Sequence, residues 1–214
     1  MAKMPKRRIS LPLVLNGCIS SLVLAIGMSP TFGAFTASIS GQMNGAGAGT
    51  IVMQERDSSG TISCLSTDGG GLLLDAASCS TINKYGGNPS MRPGQSDVVV
   101  SYIQDVGTVA ASSFSLTPGA CVQSVAGATS GSATDLCSRI AVSIVSGASI
   151  VFSGTAAELG GVGTIDLLSR LGLAKVQPGG PQIPFTVTTT MDASVDNSYQ
   201  GLEVSQPMTW TFSS

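Results

Sequence analysis

From Ile183 the chain alternates strictly: Ile183, Phe185, Val187 and Met191 share one parity, while threonines fill positions 186, 188 and 190. The same period of two returns in the last residues. Leu202, Val204, Met208, Trp210 and Phe212 share one face, interrupted only by Gln206, and Glu203, Ser205, Pro207, Thr209 and Thr211 take the other. Successive side chains of a strand point to opposite faces, so each pattern predicts a strand with one face in a core and one in water. Pro207 has no N–H to give to a ladder and predicts an edge or a bulge at that point.

Earlier segments read the same way. Phe35, Ala37, Ile39 and Met43 fall on one parity with Gly41, and Thr36, Ser38, Ser40 and Gln42 on the other, which predicts an amphipathic strand over 34–43. The small-residue run "NGAGAG" follows as a flexible tether. Strands are then expected at Thr50–Glu55 and Thr61–Leu65, with "RDSSG" as the turn between them. The run "DVVVSYIQ" at 97–104 is apolar on both parities, as for a central strand covered on both faces, and Val109–Leu116 is expected to pair with it across the turn "DVGT". Two further strands are expected at Arg139–Val145 and Ser149–Ser153.

Helical signals are confined to two places. In "SGTAAELGG", Thr155 and Glu158 have the spacing of a capping box before a glycine stop, and in "GTIDLLSRLG", Thr164 reads as the cap and Gly172 as the stop. Short strands joined by Gly- and Ser-rich turns therefore predict an all-β antiparallel sandwich with one or two short connector helices.

The N-terminus changes the compartment. Lys3, Lys6, Arg7 and Arg8 precede an apolar run from Ile9 to Met28, broken by Pro12, Asn16 and Gly17, and small residues follow at Thr31 and Gly33. This is the layout of a secretory signal peptide over 1–33, cleaved between Gly33 and Ala34, with an uncleaved anchor as the alternative. Residues 34–49 then form an N-terminal strand and linker, and 50–214 the sandwich domain. Beyond the leader, six of the ten Lys and Arg remain against all twelve Asp and Glu, a formal charge of −6. With no basic stripe to meet phosphates, nucleic acid is not an expected partner.

Export also sets the reading of the cysteines. Cys64, Cys79, Cys121 and Cys137 lie beyond the leader, and an even count in an exported chain predicts two disulfides. Of the three possible connectivities, Cys64–Cys79 with Cys121–Cys137 is favoured, because each closes a short local loop.

The chain contains no histidine. Ser-His-Asp, Cys-His and HExxH sites are thereby excluded, and neither a metal site nor a cofactor is expected. Asp192, Asp196 and Asn197 lack the dense oxygen spacing of a calcium loop and read as turn residues. Glu158 and Asp166 stand where helix starts favour acidic side chains, so capping is preferred to a catalytic pair. Tyr85, in "NKYGGN", reads as a ring packed over its own loop rather than as a ligand platform. The glycine clusters lack the lysine and spacing of a phosphate loop.

Three segments resemble, in order, the TasA/camelysin family of secreted proteins. "TFGAFTASISG" is similar to its leader junction, "MRPGQSDVVVSYIQDVGTVAASSFSL" to its Pro-Gly turn and following strands, and "DNSYQGLEVSQPMTWTF" to its closing turn and strand. The resemblance implies a jelly-roll fold and export to an extracellular fibre, a biofilm matrix or thin pilus. It also implies head-to-tail self-assembly by donor-strand complementation. Phe35, Ala37, Ile39 and Met43 would be the donated side chains, with a signal peptidase and an anchor or accessory protein as further partners. The chain departs from the family in its cysteines and its low charge, and the metallopeptidase label carried by some members does not transfer to a sequence without histidine. The competing expectation is a monomeric secreted sandwich that binds a surface glycan or host ligand through its loops.

Overall fold

A computed structural model describes residues 46–69, 76–126 and 131–214. The chain divides after Ala46, and the body described is Gly47–Ser214. Its strands are β1 Met53–Asp57, β2 Ser63–Leu65, β3 Ser96–Asp105, β4 Ser113–Pro118, β5 Val122–Val125, β6 Ile140–Ser146, β7 Ser149–Thr155, β8 Ile165–Asp166, β9 Ile183–Met191, β10 Leu202–Ser205 and β11 Met208–Ser213. Three short helices join them: α1 Leu136–Arg139, α2 Ala156–Gly161 and α3 Leu167–Leu171.

Six strands form one sheet in the order β2-β1-β3-β9-β6-β7, and β11-β4-β8 form a second. The β10-β5 ladder continues the β11-β4 ladder past a break, and all of these pairings are antiparallel. The two layers make an all-β, jelly-roll-like sandwich. Their inner faces meet at Phe114 and Leu116 from β4 and at Ile103, Val142, Ile144, Phe185 and Val187 from the first sheet, all essentially solvent-free. Phe114 is the hub, with its ring centroid 5.9 Å from Phe185, 4.8 Å from Phe212 and 6.1 Å from Trp210.

Burial follows parity along β9, where Phe185, Val187 and Thr189 are buried and their neighbours are not. The last strand is likewise half-buried on one face: Leu202, Val204, Met208, Trp210 and Phe212 all pack on the core. Gln206 and Pro207 fall in the break between β10 and β11. There Gly119 N donates to Pro207 O at 2.8 Å, and Gln206 Nε2 donates to Gly119 O at 2.8 Å and to Ala156 O at 3.1 Å. The ladder is interrupted at the proline because no ring nitrogen can donate.

The local staples stand where the spacing puts them. Cys64 bonds to Cys79 and Cys121 to Cys137, with Cα atoms 5.9 Å and 6.0 Å apart. Two disulfides fit a chain that folds outside the reducing cytoplasm. Thr155 caps α2 through a full capping box, accepting from Glu158 N at 3.2 Å while Thr155 N donates to Glu158 Oε2 at 2.7 Å.

Three expectations are corrected. β3 does not pair with β4: it lies between β1 and β9, and β4 lies in the other sheet between β11 and β8. The reason is in the connection. Gly107 N donates to Asp105 Oδ1 at 2.8 Å, and Ala111 N to Val176 O at 2.9 Å, so the chain turns out of the first sheet and crosses to the second. β3 is central but covered on one face only, since Val98 on its outer parity is 61% exposed. The cap of α3 is Asp166, which accepts from Ser169 N at 3.2 Å; Thr164 instead bonds Thr117 Oγ1 across to β4 at 3.0 Å. The short strands β5 and β8 and helix α1 are additions to the elements expected.

Candidate functional site

The candidate donor residues Phe35, Ala37, Ile39 and Met43, and the candidate cleavage pair Gly33 and Ala34, lie outside the described residues. The described body has an open sheet edge. β4 pairs with β11 along one edge, and among the described residues the opposite edge of β11 and β10 carries no strand. A bare edge presents a row of main-chain donors and acceptors, which is a template for another strand.

That edge borders a groove of about 2000 Å³ that runs between β10–β11 on one side and β1, β2 and the loop 76–93 on the other. The last strand provides its apolar wall through Leu202, Val204, Met208, Trp210 and Phe212. Trp210 stacks on Phe185 with centroids 4.6 Å apart, which fixes the indole in the wall. Its Nε1 is buried and has no hydrogen-bond partner among the described residues. A buried donor without an acceptor is costly, on the order of 1–3 kcal/mol.

The opposite wall is mixed, with Ile51, Met53, Leu65 and Ile82 beside a buried ion pair. Lys84 Nζ meets Glu55 Oε2 at 2.8 Å, with side-chain exposures of 11% and 8%. Glu55 comes from β1, on the parity of Met53, and its Oε1 is buried without a partner among the described residues. Tyr85, beside Lys84, packs its ring on the core and donates its hydroxyl to Gln206 Oε1, and burial pushes its phenol pKa upward. This contact ties the 76–93 loop to the break between β10 and β11. The ring therefore packs on the core and at the β10–β11 break, not over its own loop as the turn suggested.

The acidic residues weighed as chemistry are occupied elsewhere. Glu158 and Asp166 hold the starts of α2 and α3. Asp192 Oδ1 accepts from Ser194 N at 2.8 Å and Asp196 Oδ1 from Ser198 N at 2.9 Å, so both build their own turns. The backbone bond from Ser194 at Asp192, and at Asp196 the Ser198 hydroxyl and then its backbone N–H, hold both carboxyls below the ordinary aspartate range. On the surface, Tyr199 donates its hydroxyl to Asp135 Oδ1 at 2.7 Å, and Arg139 bonds Asp135 at 3.2 Å and Asp192 at 3.4 Å. The Tyr199 hydroxyl, then Arg139, lower the Asp135 pKa, and this cluster fastens α1 to the turn before β10.

Neither Glu55 nor Lys84 stands out in the sequence. The one available signal is Glu55 on the inner parity of a strand, after Ile51 and Met53, where a carboxylate requires a partner. No protein-family model matches the chain, and no curated protein shows significant similarity to it.

Proposed function

We propose that this protein is a secreted, non-enzymatic structural subunit that polymerises head to tail into extracellular fibres, as a biofilm matrix or thin pilus. Strand 34–43 of one copy fills the β10–β11 groove of the next. The observation that carries this reading is the edge of β10–β11, unpaired among the described residues and bordered by a groove with one apolar wall, in a chain whose N-terminal segment has the matching alternation. Phe35, Ile39 and Met43 would each contribute about 1.5–3 kcal/mol on full burial, and the main-chain ladder would add to that. Donation from copy to copy is a heterologous contact that does not close, so it propagates as a filament. Signal peptidase releases the arm by cutting before Ala34, and an anchor or accessory protein begins or ends the fibre. The resemblance to the TasA/camelysin family supports the same reading.

Electron microscopy of the exported protein, with and without residues 34–43, tests it. Filaments are expected from the intact chain and none from the shortened one. Equal assembly of both forms removes strand donation. Absence of filaments from either favours the monomeric module that binds a glycan or host ligand through its loops.

A further inference from the structure

We infer that the arm filling the groove runs antiparallel to β10–β11 in one register, and that only the arm of a second copy can do so. This rests on the strand-donation reading and specifies its partner. The first support is where the described chain begins. Residues 50–52 are bound to the β3–β4 connection: Val106 N donates to Val52 O at 2.8 Å, Thr108 N to Thr50 O at 2.7 Å and Thr50 N to Thr108 Oγ1 at 2.9 Å. The fit is close at Gly107, where an added Cβ would lie 2.3 Å from Thr50 O. The same connection holds the end of β11, since Ser112 N donates to Ser213 O at 2.8 Å. The first residues of the body therefore lie toward the Ser213 end of the groove.

Reach then decides the direction. Residues 202–213 span roughly 36 Å at about 3.3 Å per residue. The six residues 44–49 extend at most about 21 Å. A chain's own arm can lie in its own groove only in parallel, with Met43 at the Ser213 end. Full-length antiparallel pairing needs Met43 at the Leu202 end, beyond the tether's reach, and a second copy is free of that limit.

Side-chain matching selects the antiparallel arrangement. One register sets Phe35 beside Phe212, Ala37 beside Trp210, Ile39 beside Met208, Gly41 beside Gln206 and Met43 beside Val204. The single interruption of each apolar face coincides, and the small Ala37 falls next to the large indole. The parallel register open to a chain's own arm, with Met43 beside Phe212, sets Gly41 beside Trp210 and Ala37 beside Gln206, so the interruptions of the two faces do not coincide and Leu202 is left without a neighbour. The pairings of both sheets are antiparallel, and that ladder is slightly the more stable per residue. Exchanging a chain's own parallel arm for a second copy's antiparallel one therefore runs in the direction of assembly.

Cysteine pairs on the exported full chain test direction and donation separately. Thr36→Cys with Thr211→Cys pairs only in the antiparallel register, and Thr36→Cys with Ser205→Cys only in parallel; each single variant is the control, and only chains keeping native Trp210 emission are read. The expected result is a ladder of covalent multimers from the first pair, collapsed by reductant, and none from the second. A ladder from the second pair alone overturns the polarity while leaving donation standing. A cross-link within one chain from the second pair, without filaments, overturns donation itself. Filaments in which neither pair links overturn the register.

Discussion

Replacing Phe114 tests whether the two sheets share one core. Its side chain is 1% exposed and touches Phe185 of the first sheet as well as Phe212 and Trp210 of the last strand. Truncating a buried phenylalanine to alanine costs about 3–5 kcal/mol through lost transfer energy and the cavity left behind. Phe114→Leu keeps most of the volume but loses two edge-to-face contacts worth about 0.5–1.5 kcal/mol each, so its cost is about 2 kcal/mol. The chain has a single tryptophan, and its ring is 6.1 Å from Phe114, so its emission follows this cluster during equilibrium unfolding in guanidinium. With the slope unchanged, a loss of about 4 kcal/mol moves the midpoint down by roughly 1 M. Far-ultraviolet circular dichroism should report the same transition. A cost below about 1 kcal/mol for the alanine variant, or a tryptophan transition separate from the dichroism, would refute a shared core.

Three further outcomes follow from the same geometry. Lys84→Met leaves the buried Glu55 carboxylate unpaired and should cost about 3–5 kcal/mol in urea unfolding, with much of the loss recovered by adding Glu55→Gln; no recovery would show that the pair is not coupled. Replacing Cys121 and Cys137 together by serine opens a loop with a sequence separation of 16, which should lower stability by about 3 kcal/mol on the loop-entropy model, and a change under about 1 kcal/mol would contradict it. Asp135 has a folded pKa below its ordinary 3.8, so its contribution is present above that value and is lost as pH falls through the folded one. The stability gap between the native chain and Asp135→Asn should therefore shrink between about pH 7 and about pH 2, and a gap that widens in acid would reverse the sign.

What was legible in the sequence is what burial imposes locally. β9 and β11 could be read because each has one wet face, so threonine and apolar residues alternate. The capping box at Thr155 and the two local disulfides are likewise short-range features. β5 left no such trace: Val122 and Val125 are both more than half exposed, so its apolar residues do not mark an inner face. The separation of β3 from β4 was hidden because a turn such as "DVGT" suits a hairpin equally well, and only the contacts of residues 106–111 with 50–52 and Val176 carry the chain across. The groove could not be read as a unit. Its walls come from segments near both ends of the body, and its ion pair joins residues 29 apart that are each unremarkable alone. The alternation of 34–43 was legible, whereas the edge that would receive it is a product of the fold.

The most direct test of the central claim uses the arm as a free peptide. Residues 34–43, added in excess to exported protein lacking that segment, should bind with one-to-one stoichiometry and shift the emission of Trp210, and should halt filament growth by intact subunits. A peptide carrying Ile39→Asp should do neither, because a carboxylate in the apolar wall has no partner. Absence of binding by the native peptide, with filament growth undiminished, would contradict strand donation into this groove.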